Sequence, residues 1–349
     1  MIIAVDAMGG DNAPTMVVQG AIEASREYNV DILLVGKEKS IQEVLPENMN
    51  EGSIKVHHCT EMVDMEEPPL KAVRRKKDAS IRVAFELVRE GRADAVVSAG
   101  HSGAVLAAGV FTLGRIKGVE RPAFASILPS EGDPVLLIDV GANVDCRARH
   151  LLQFGVMGHA FATIFQHRDN PKVGLLNIGQ ERGKGNEQVR IAHQMFAASH
   201  LNFVGNVEGR DILSGEVHIV VCDGFVGNVA LKLSEGMAET VPRMMRQEIS
   251  RSWVGRLGLR LGRNGFKKLK EIMDYEEYGG VPILGIKGVG IVCHGGSSAR
   301  AIKNGIKAAR DYADKRLQKQ LAEDVRRIHA RSWDRISNRM KRYWMNEDG

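Results

Sequence analysis

The sequence predicts an α/β protein, a three-layer α/β/α sandwich built on a mostly parallel sheet. Two observations carry the prediction. Short continuous apolar runs, rich in Val and Ile, recur along the first two-thirds of the chain. Most of these runs end in a glycine-containing turn, with a longer helical pattern next. Continuous apolar runs suit parallel strands that are covered on both faces, where in/out alternation is not required.

The elements follow in order. "IIAV" at residues 2–5 is the first strand, and the turn "MGGDNAP" leads into a helix. That helix has Pro14 in its first turn and Val17, Val18, Ala21 and Ile22 on one face. Residues 30–36, 53–58, 93–98, 134–141, 172–179, 218–224 and 289–296 read as further strands. Helices are expected over 68–77 and 80–91. A buried helix is expected over 148–167, with Leu151, Leu152, Phe154, Phe161 and Phe165 inward. Residues 95–114 form an uncharged stretch of membrane-span length. Its four Gly, two Ser and one His mark a strand-to-helix turn, so it divides into two buried elements. Residues 1–314 are expected to form one catalytic domain. Residues 315–349 are expected to form a basic helical tail with Leu321, Val325, Ile328, Ile336, Met340 and Tyr343 in a broken stripe.

Composition narrows the class. The 349 residues are 44% hydrophobic and 26% charged, an ordinary globular balance that needs no covalent staple at this size. Cys59, Cys146, Cys222 and Cys293 show no CxxC spacing. A disulfide framework or zinc site is not expected, and a reducing cytosol is the simplest home. The opening "MIIAVDAMGGD" lacks the features of a signal peptide. The formal charge of +5 is local: residues 251–270 hold seven basic residues and no acid, and without them the sum turns negative. A patch of this kind meets an acidic protein, an anionic membrane or nucleic acid. No nucleic-acid-binding module is recognisable, so no nucleic-acid partner is expected.

Chemistry concentrates in the turns "DAMGGD" (6–11), "SAGHSGA" (98–104), "DVGAN" (139–143), "NIGQERGKGN" (177–186), "VEGRD" (207–211), "CDGFVGN" (222–228) and "CHGGSSA" (293–299). Glycine lets backbone approach an anion, and a following helix N-terminus offers free N–H groups. Named motifs fail. "GQERGKG" is one residue short of a P-loop, no GxGxxG follows a strand, and Gly103 follows Ser102 too early for a GxSxG elbow. There is no HExxH and no His/Cys cluster, so neither metal nor cofactor is expected.

The ordered set "DAMGGDNAP", "SAGHSGA", "DVGAN", "NIGQERGKGN", "VEGRD", "DGFVGN" and "GGVPILG" resembles the bacterial acyl-carrier-protein:phosphate acyltransferases (PlsX family) from residue 1 to about 310. That family shows Asn-Thr where this chain has His101-Ser102, and Ala-Pro where it has Val281-Pro282. The resemblance implies the fold of phosphotransacetylases and isopropylmalate-type dehydrogenases. It implies transfer of a long-chain acyl group from acyl carrier protein to inorganic phosphate, giving acyl phosphate. The product would supply a membrane acyl-phosphate:glycerol-3-phosphate acyltransferase in phosphatidic acid synthesis. It also favours a homodimer. The runner-up is a phosphotransacetylase-like enzyme that uses acyl-coenzyme A.

Such a reaction needs N–H donors and one or two cations rather than a triad. Lys184, flanked by Gly183 and Gly185, is the first candidate, to pair with phosphate or the oxyanion. Asn228 would donate to phosphate or to the thioester carbonyl, unless it caps the helix at Gly227. Ser102 with the N–H groups of Gly103 and Ala104 would cradle phosphate, a role compatible with capping. Asn143, Asn186, Asp223 and Gly227 complete the expected phosphate or substrate site. His101 reads as a turn residue. Arg74, Lys76 and Lys77 are candidate contacts for the carrier. The segment 251–270 carries Trp253, Arg256, Leu257, Arg260, Leu261, Arg263, Lys267 and Lys268. It would meet an anionic membrane or the carrier, placing the enzyme in the cytoplasm with peripheral association to the inner membrane face. Packing against a second subunit is the alternative.

Overall fold

A computed structural model describes residues 1–46, 53–265, 267, 279–313 and 319–326. Eleven strands form one sheet among them. In chain order they are β1 (Ile2–Asp6), β2 (Asp31–Gly36), β3 (Ile54–His58), β4 (Ala95–Ser98), β5 (Ala123–Leu128) and β6 (Val135–Ile138). These are followed by β7 (Lys172–Leu176), β8 (Asn202–Val207), β9 (Ile219–Val221), β10 (Val281–Leu284) and β11 (Val289–Val292). Their order across the sheet is β3-β2-β1-β4-β11-β10-β5-β6-β9-β7-β8.

Two parallel wings make up this sheet. β3, β2, β1, β4 and β11 run together, with Ile3 beside Ile32 and Ala95 in register. β6, β9, β7 and β8 form the second wing. Between them, β10 is antiparallel to β11 and to β5, and β5 is antiparallel to β6. The wings therefore run in opposite directions, and their carboxyl ends leave the sheet at opposite edges. The sequence reading anticipates the parallel strands but not this antiparallel centre. β5 (AFASIL) and β8 (NFVGNV) lack a β-branched run, and β10 is a four-residue strand containing Pro282.

The helices that flank the sheet include α1 (Thr15–Tyr28), α2 (Glu38–Gln42), α3 (Pro69–Arg75), α4 (Ser80–Arg89), α5 (Ser102–Leu113), α6 (Ala148–Phe165), α7 (Glu187–Ala197), α8 (Gly224–Ile249), α9 (Trp253–Leu261) and α10 (Ala299–Tyr312). Strand alternation sorts them into layers. Ile3, Val5, Ala95 and Val97 face one core with α1 and α10. Leu136, Ile138, Ile219 and Val221 face a second core with α6 and α7. The residues between them, Ala4, Val96, Leu137 and Val220, all join a third core on the opposite face. There they meet α4, α5 and Leu231 of α8. The three-layer sandwich is confirmed, and α5 and α8 share one side of it.

Two segments differ from expectation. Residues 319–326 are helical, and Leu321 and Val325 are buried in the α6–α7 core. The first part of the expected tail thus belongs to the body of the protein. α8 is long, but only Gly224, Gly227 and Leu231 of it are buried, so most of the helix stands clear of the sheet.

His159 of α6 has a buried Nδ1 without a hydrogen-bond partner, and burial holds its pKa below the usual histidine value against a weaker pull from Asp324. The unfolded chain binds a proton there first as pH falls. The contribution is therefore intact above about pH 6.5 and lost on acidification below it. His159→Leu is expected to flatten the fall of melting temperature between about pH 7 and pH 5. An unchanged slope in thermal melts would contradict this.

Candidate active site

The turn after β6 is organised by one carboxylate. Asp139 is fully buried. Its Oδ1 accepts from the N–H groups of Phe124 (3.0 Å), Gly141 (3.3 Å) and Ala142 (3.0 Å). Its Oδ2 accepts from Asn143 N–H (2.7 Å) and Asn143 Nδ2 (2.9 Å). Burial pushes the Asp139 pKa up, and these donors oppose the shift. Asn143 also donates to the Pro122 carbonyl (2.7 Å) and accepts from Gly224 N–H (2.7 Å). Its Nδ2 is occupied in fixing the turn.

The same network seats α8. Asp223 is the N-cap, accepting from Val226 N–H at 2.9 Å. A Cβ on Gly227 would sit 1.9 Å from the Asp139 carbonyl oxygen. Gly227 is required to be glycine because helix and strand end touch. With Asp223 as cap, Asn228 lies inside the helix, and the capping alternative for it is removed. Its side chain is exposed and makes no hydrogen bond among the described residues. It faces Gly141, where a Cβ would stand 3.7 Å from Asn228 Oδ1.

The Lys184 loop leaves the same edge. Asn177 Nδ2 donates to the Lys184 carbonyl (3.0 Å), and Asn177 Oδ1 accepts from Ile178 N–H (2.8 Å). Gly185 has a φ of +89°, and a Cβ there would meet Asn177 Oδ1 at 2.7 Å. Asn206, which the sequence reading misses because it lies inside β8, donates to the Glu181 carbonyl (2.8 Å). Asn186 caps α7, accepting from Val189 N–H (3.0 Å). The loop backbone is thus pinned at both ends. The Lys184 ammonium projects from it, exposed, with no ion pair or hydrogen bond among the described residues.

The third turn lies at the other edge. Ser98 Oγ donates to Asp6 Oδ2 (2.7 Å) and accepts from Gly100 N–H (3.0 Å), while Asp11 N–H reaches the Gly295 carbonyl (2.8 Å). His101, read from sequence as a turn residue, is the N-cap of α5 and accepts from Gly103 N–H at Nδ1 (3.0 Å). Ala104 N–H goes to the His101 carbonyl (2.8 Å). The N–H groups of Gly103 and Ala104 are already used, so they form no open phosphate cradle. Ser102 is the first helical residue and stays exposed. No hydrogen bond or ion pair joins this group to Lys184 or Asn228.

The expected cationic contacts also divide. Lys76 is half-buried and bonded to Glu67 (2.5 Å) and to the Met62 carbonyl (2.8 Å), so it is not offered to a partner. Arg74 stacks on Phe111, and Lys77 is exposed. In α9, Trp253, Val254, Leu257 and Leu261 are all exposed, Trp253 by 71% and Leu261 by 80%. Arg256, Arg260, Arg263 and Lys267 are exposed around them. Lys268 lies outside the described residues. The thiols of Cys146 and Cys222 stand near Asp139, and burial pushes both pKa values up, that of Cys146 to about 12. Neither supplies a thiolate nucleophile at neutral pH. Lys184 and Asn228 thus carry, at the β6–β7 edge, a cation and an amide without a hydrogen-bond partner among the described residues, both on pinned backbone.

Solved structures share this fold. A phosphotransacetylase from Streptococcus pyogenes aligns with a TM-score of 0.57 at 17% identity, over 93% of this chain and 94% of that one. A putative 4-hydroxythreonine-4-phosphate dehydrogenase from Salmonella typhimurium aligns at 0.51 with 12% identity, over 89% and 98%. Residues 1–320 match the family model described as "Fatty acid synthesis protein". The chain is 49% identical over 326 residues to a phosphate acyltransferase of Nitratidesulfovibrio vulgaris (strain DP4), covering 93% of this chain and 94% of the relative. It is 48% identical over 342 residues to that of Pelobacter propionicus, covering 98% and 99%. The chain belongs to the phosphate acyltransferase family and is an acyltransferase.

Removing the Asn143 amide leaves the buried Pro122 carbonyl without that donor and takes one of two donors from Asp139 Oδ2. Asn143→Ala is expected to destabilise the fold by about 1–3 kcal/mol. Urea denaturation measures it. A variant as stable as the parent would return Asn143 to the list of ligand-binding candidates.

Proposed function

We propose that the protein transfers a long-chain acyl group from acyl carrier protein to inorganic phosphate, releasing acyl phosphate and the free carrier thiol. One observation carries this reading: Lys184 and Asn228 keep unpaired polar ends at one sheet edge, on backbone that the hydrogen bonds of Asp139, Asn143 and Asn177 hold in place. Phosphate is ionised at neutral pH and needs no general base. A phosphate oxygen attacks the thioester carbonyl, forming the C–O bond and a tetrahedral oxyanion. Collapse breaks the C–S bond, and the thiolate leaves with the electron pair. Lys184 neutralises phosphate and the developing oxyanion. Asn228 donates an N–H to the carbonyl oxygen. Rigid placement is worth most here, because donors fixed before reaction need no reorganisation.

The fold neighbours support a runner-up in which acyl-coenzyme A is the donor. Parallel assays with the two donors separate them. The product would pass to a membrane acyl-phosphate:glycerol-3-phosphate acyltransferase for phosphatidic acid synthesis.

Two exposed apolar faces support the partners of this reading. On α8, Phe225, Val229, Leu233, Met237 and Val241 repeat every four residues on one exposed face, the pattern of a helix that packs against another. A second copy of the chain is the proposed occupant, giving a homodimer. On α9, the apolar face and its arginines suit a cytoplasmic enzyme that rests on the anionic inner face of the membrane.

Two measurements test these assignments. With acyl phosphate trapped by hydroxylamine, Lys184→Ala is expected to lose about 100-fold or more in turnover, the scale of a lost oxyanion donor. Its melting temperature should hold, and Ser102→Ala should lose less than about tenfold, since its hydroxyl is not used in the step. Equal losses in the two variants would put phosphate at the Ser102 turn instead. In flotation with anionic vesicles, Leu257→Glu with Leu261→Glu is expected to abolish co-migration. Unchanged flotation would exclude α9 as the anchor.

A further inference from the structure

A concavity of about 290 Å³ lies where the chain enters β5 and α6, lined by Arg115, Glu120, Arg121, Arg147, Arg149 and His150. Its charges do not balance. Four guanidinium groups face one carboxylate. That carboxylate is taken by Arg149 Nε at 2.9 Å, with His150 Nε2 at 3.4 Å from the same oxygen. Arg115 is held on the Glu120 carbonyl. His150 Nδ1 accepts from Arg147 N–H at 3.1 Å, and burial holds its pKa down against the pull of Glu120. The side chains of Arg121 and Arg147 make no hydrogen bond or ion pair among the described residues. Several guanidinium groups gathered without matching carboxylates repel one another, and an anion filling the concavity would relieve this.

The concavity adjoins the candidate active site through the chain itself. Arg121 precedes Pro122, whose carbonyl takes the Asn143 amide. Ala148, next to Arg147, donates its N–H to Gln188 Oε1 (3.0 Å), and Gln188 lies in the first turn of the helix capped by Asn186, two residues beyond Lys184. The arginines therefore stand at the Lys184 and Asn228 edge of the sheet but are not part of that pair.

Guanidinium forks match phosphate oxygens in pairs, which an ammonium cannot do. We propose that this arginine concavity binds the phosphoryl group of the acyl donor's phosphopantetheine arm. The proposal rests on the reading that the donor is a phosphopantetheine thioester. The arm carries its phosphate at the end remote from the sulfur, so its anion site must lie beside the reacting centre and apart from it. The cations at 74–77 are the weaker candidate for this role, because Lys76 is bound to Glu67 and Arg74 lies on Phe111.

The test uses the full chain and three ligands: 4′-phosphopantetheine, unphosphorylated pantetheine and inorganic phosphate, titrated by calorimetry. Wild type is expected to bind phosphopantetheine at least tenfold more tightly than pantetheine. In Arg121→Gln with Arg147→Gln that preference should fall below threefold, while Arg121→Lys with Arg147→Lys keeps an intermediate value. Circular dichroism melts establish that each variant is folded. No preference in wild type, or one that survives the double Gln variant, would overturn the proposal. So would loss of inorganic phosphate binding alone in that variant, which would assign the concavity to the reacting phosphate. Acyl phosphate formation is assayed separately. Its absence beside an intact preference would remove the proposed reaction and leave the site.

Discussion

The buried Asp139 carboxylate is the constraint on which the candidate site depends. It stands at the end of β6, where the second wing meets the antiparallel centre, and it gathers the N–H groups of Phe124, Gly141, Ala142 and Asn143 onto its two oxygens. Those bonds fix the Gly141–Asn143 turn against the start of β5. Through the Asn143 carbonyl they also fix the first turn of α8. A carboxylate out of water is costly unless it is fully hydrogen-bonded, and one so bonded is a stiff joint. Asn228 owes its placement to that joint. Lys184 owes its own to a second, similar one around Asn177.

The opposed directions of the two wings give the protein two glycine-rich edges. At one, the turns after β1, β4 and β11 hold each other through Asp6, Ser98 and Gly295. At the other, the turns after β6, β7 and β9 present Lys184 and Asn228. α5 starts from the first edge and α8 from the second, and both lie on the same face of the sheet. Glycine turns of similar appearance in sequence thus do different work: one end closes its backbone groups on itself, and the other leaves side chains free.

Much of this was legible in the sequence, and the misses have physical causes. The parallel strands declared themselves because both of their faces are buried, which demands continuous apolar runs. β5 and β10 did not, because Ala, Ser and Pro at a crowded centre obscure the pattern. Lys184 and Asn228 stood out in the sequence as candidates, but their neighbours were not separable from them. Asn143, Gly227, Gly103 and Ala104 carry the same residue types in the same turns, and only hydrogen-bond partners reveal that they hold the backbone. Asn206 and the arginine concavity had no local signal, since each depends on segments far apart in the chain. The His101 cap had no signal of its own, since histidine is not a residue that sequence marks as an N-cap.

The central claim is that phosphate itself attacks the thioester, with no acyl group passing through the protein. Single-turnover release of thiol from acyl carrier protein, followed with and without inorganic phosphate, tests it most directly. Strict dependence of thiol release on phosphate is the predicted result, with intact-protein mass unchanged throughout. A stoichiometric burst of thiol without phosphate, with the acyl mass appearing on the protein, would contradict it.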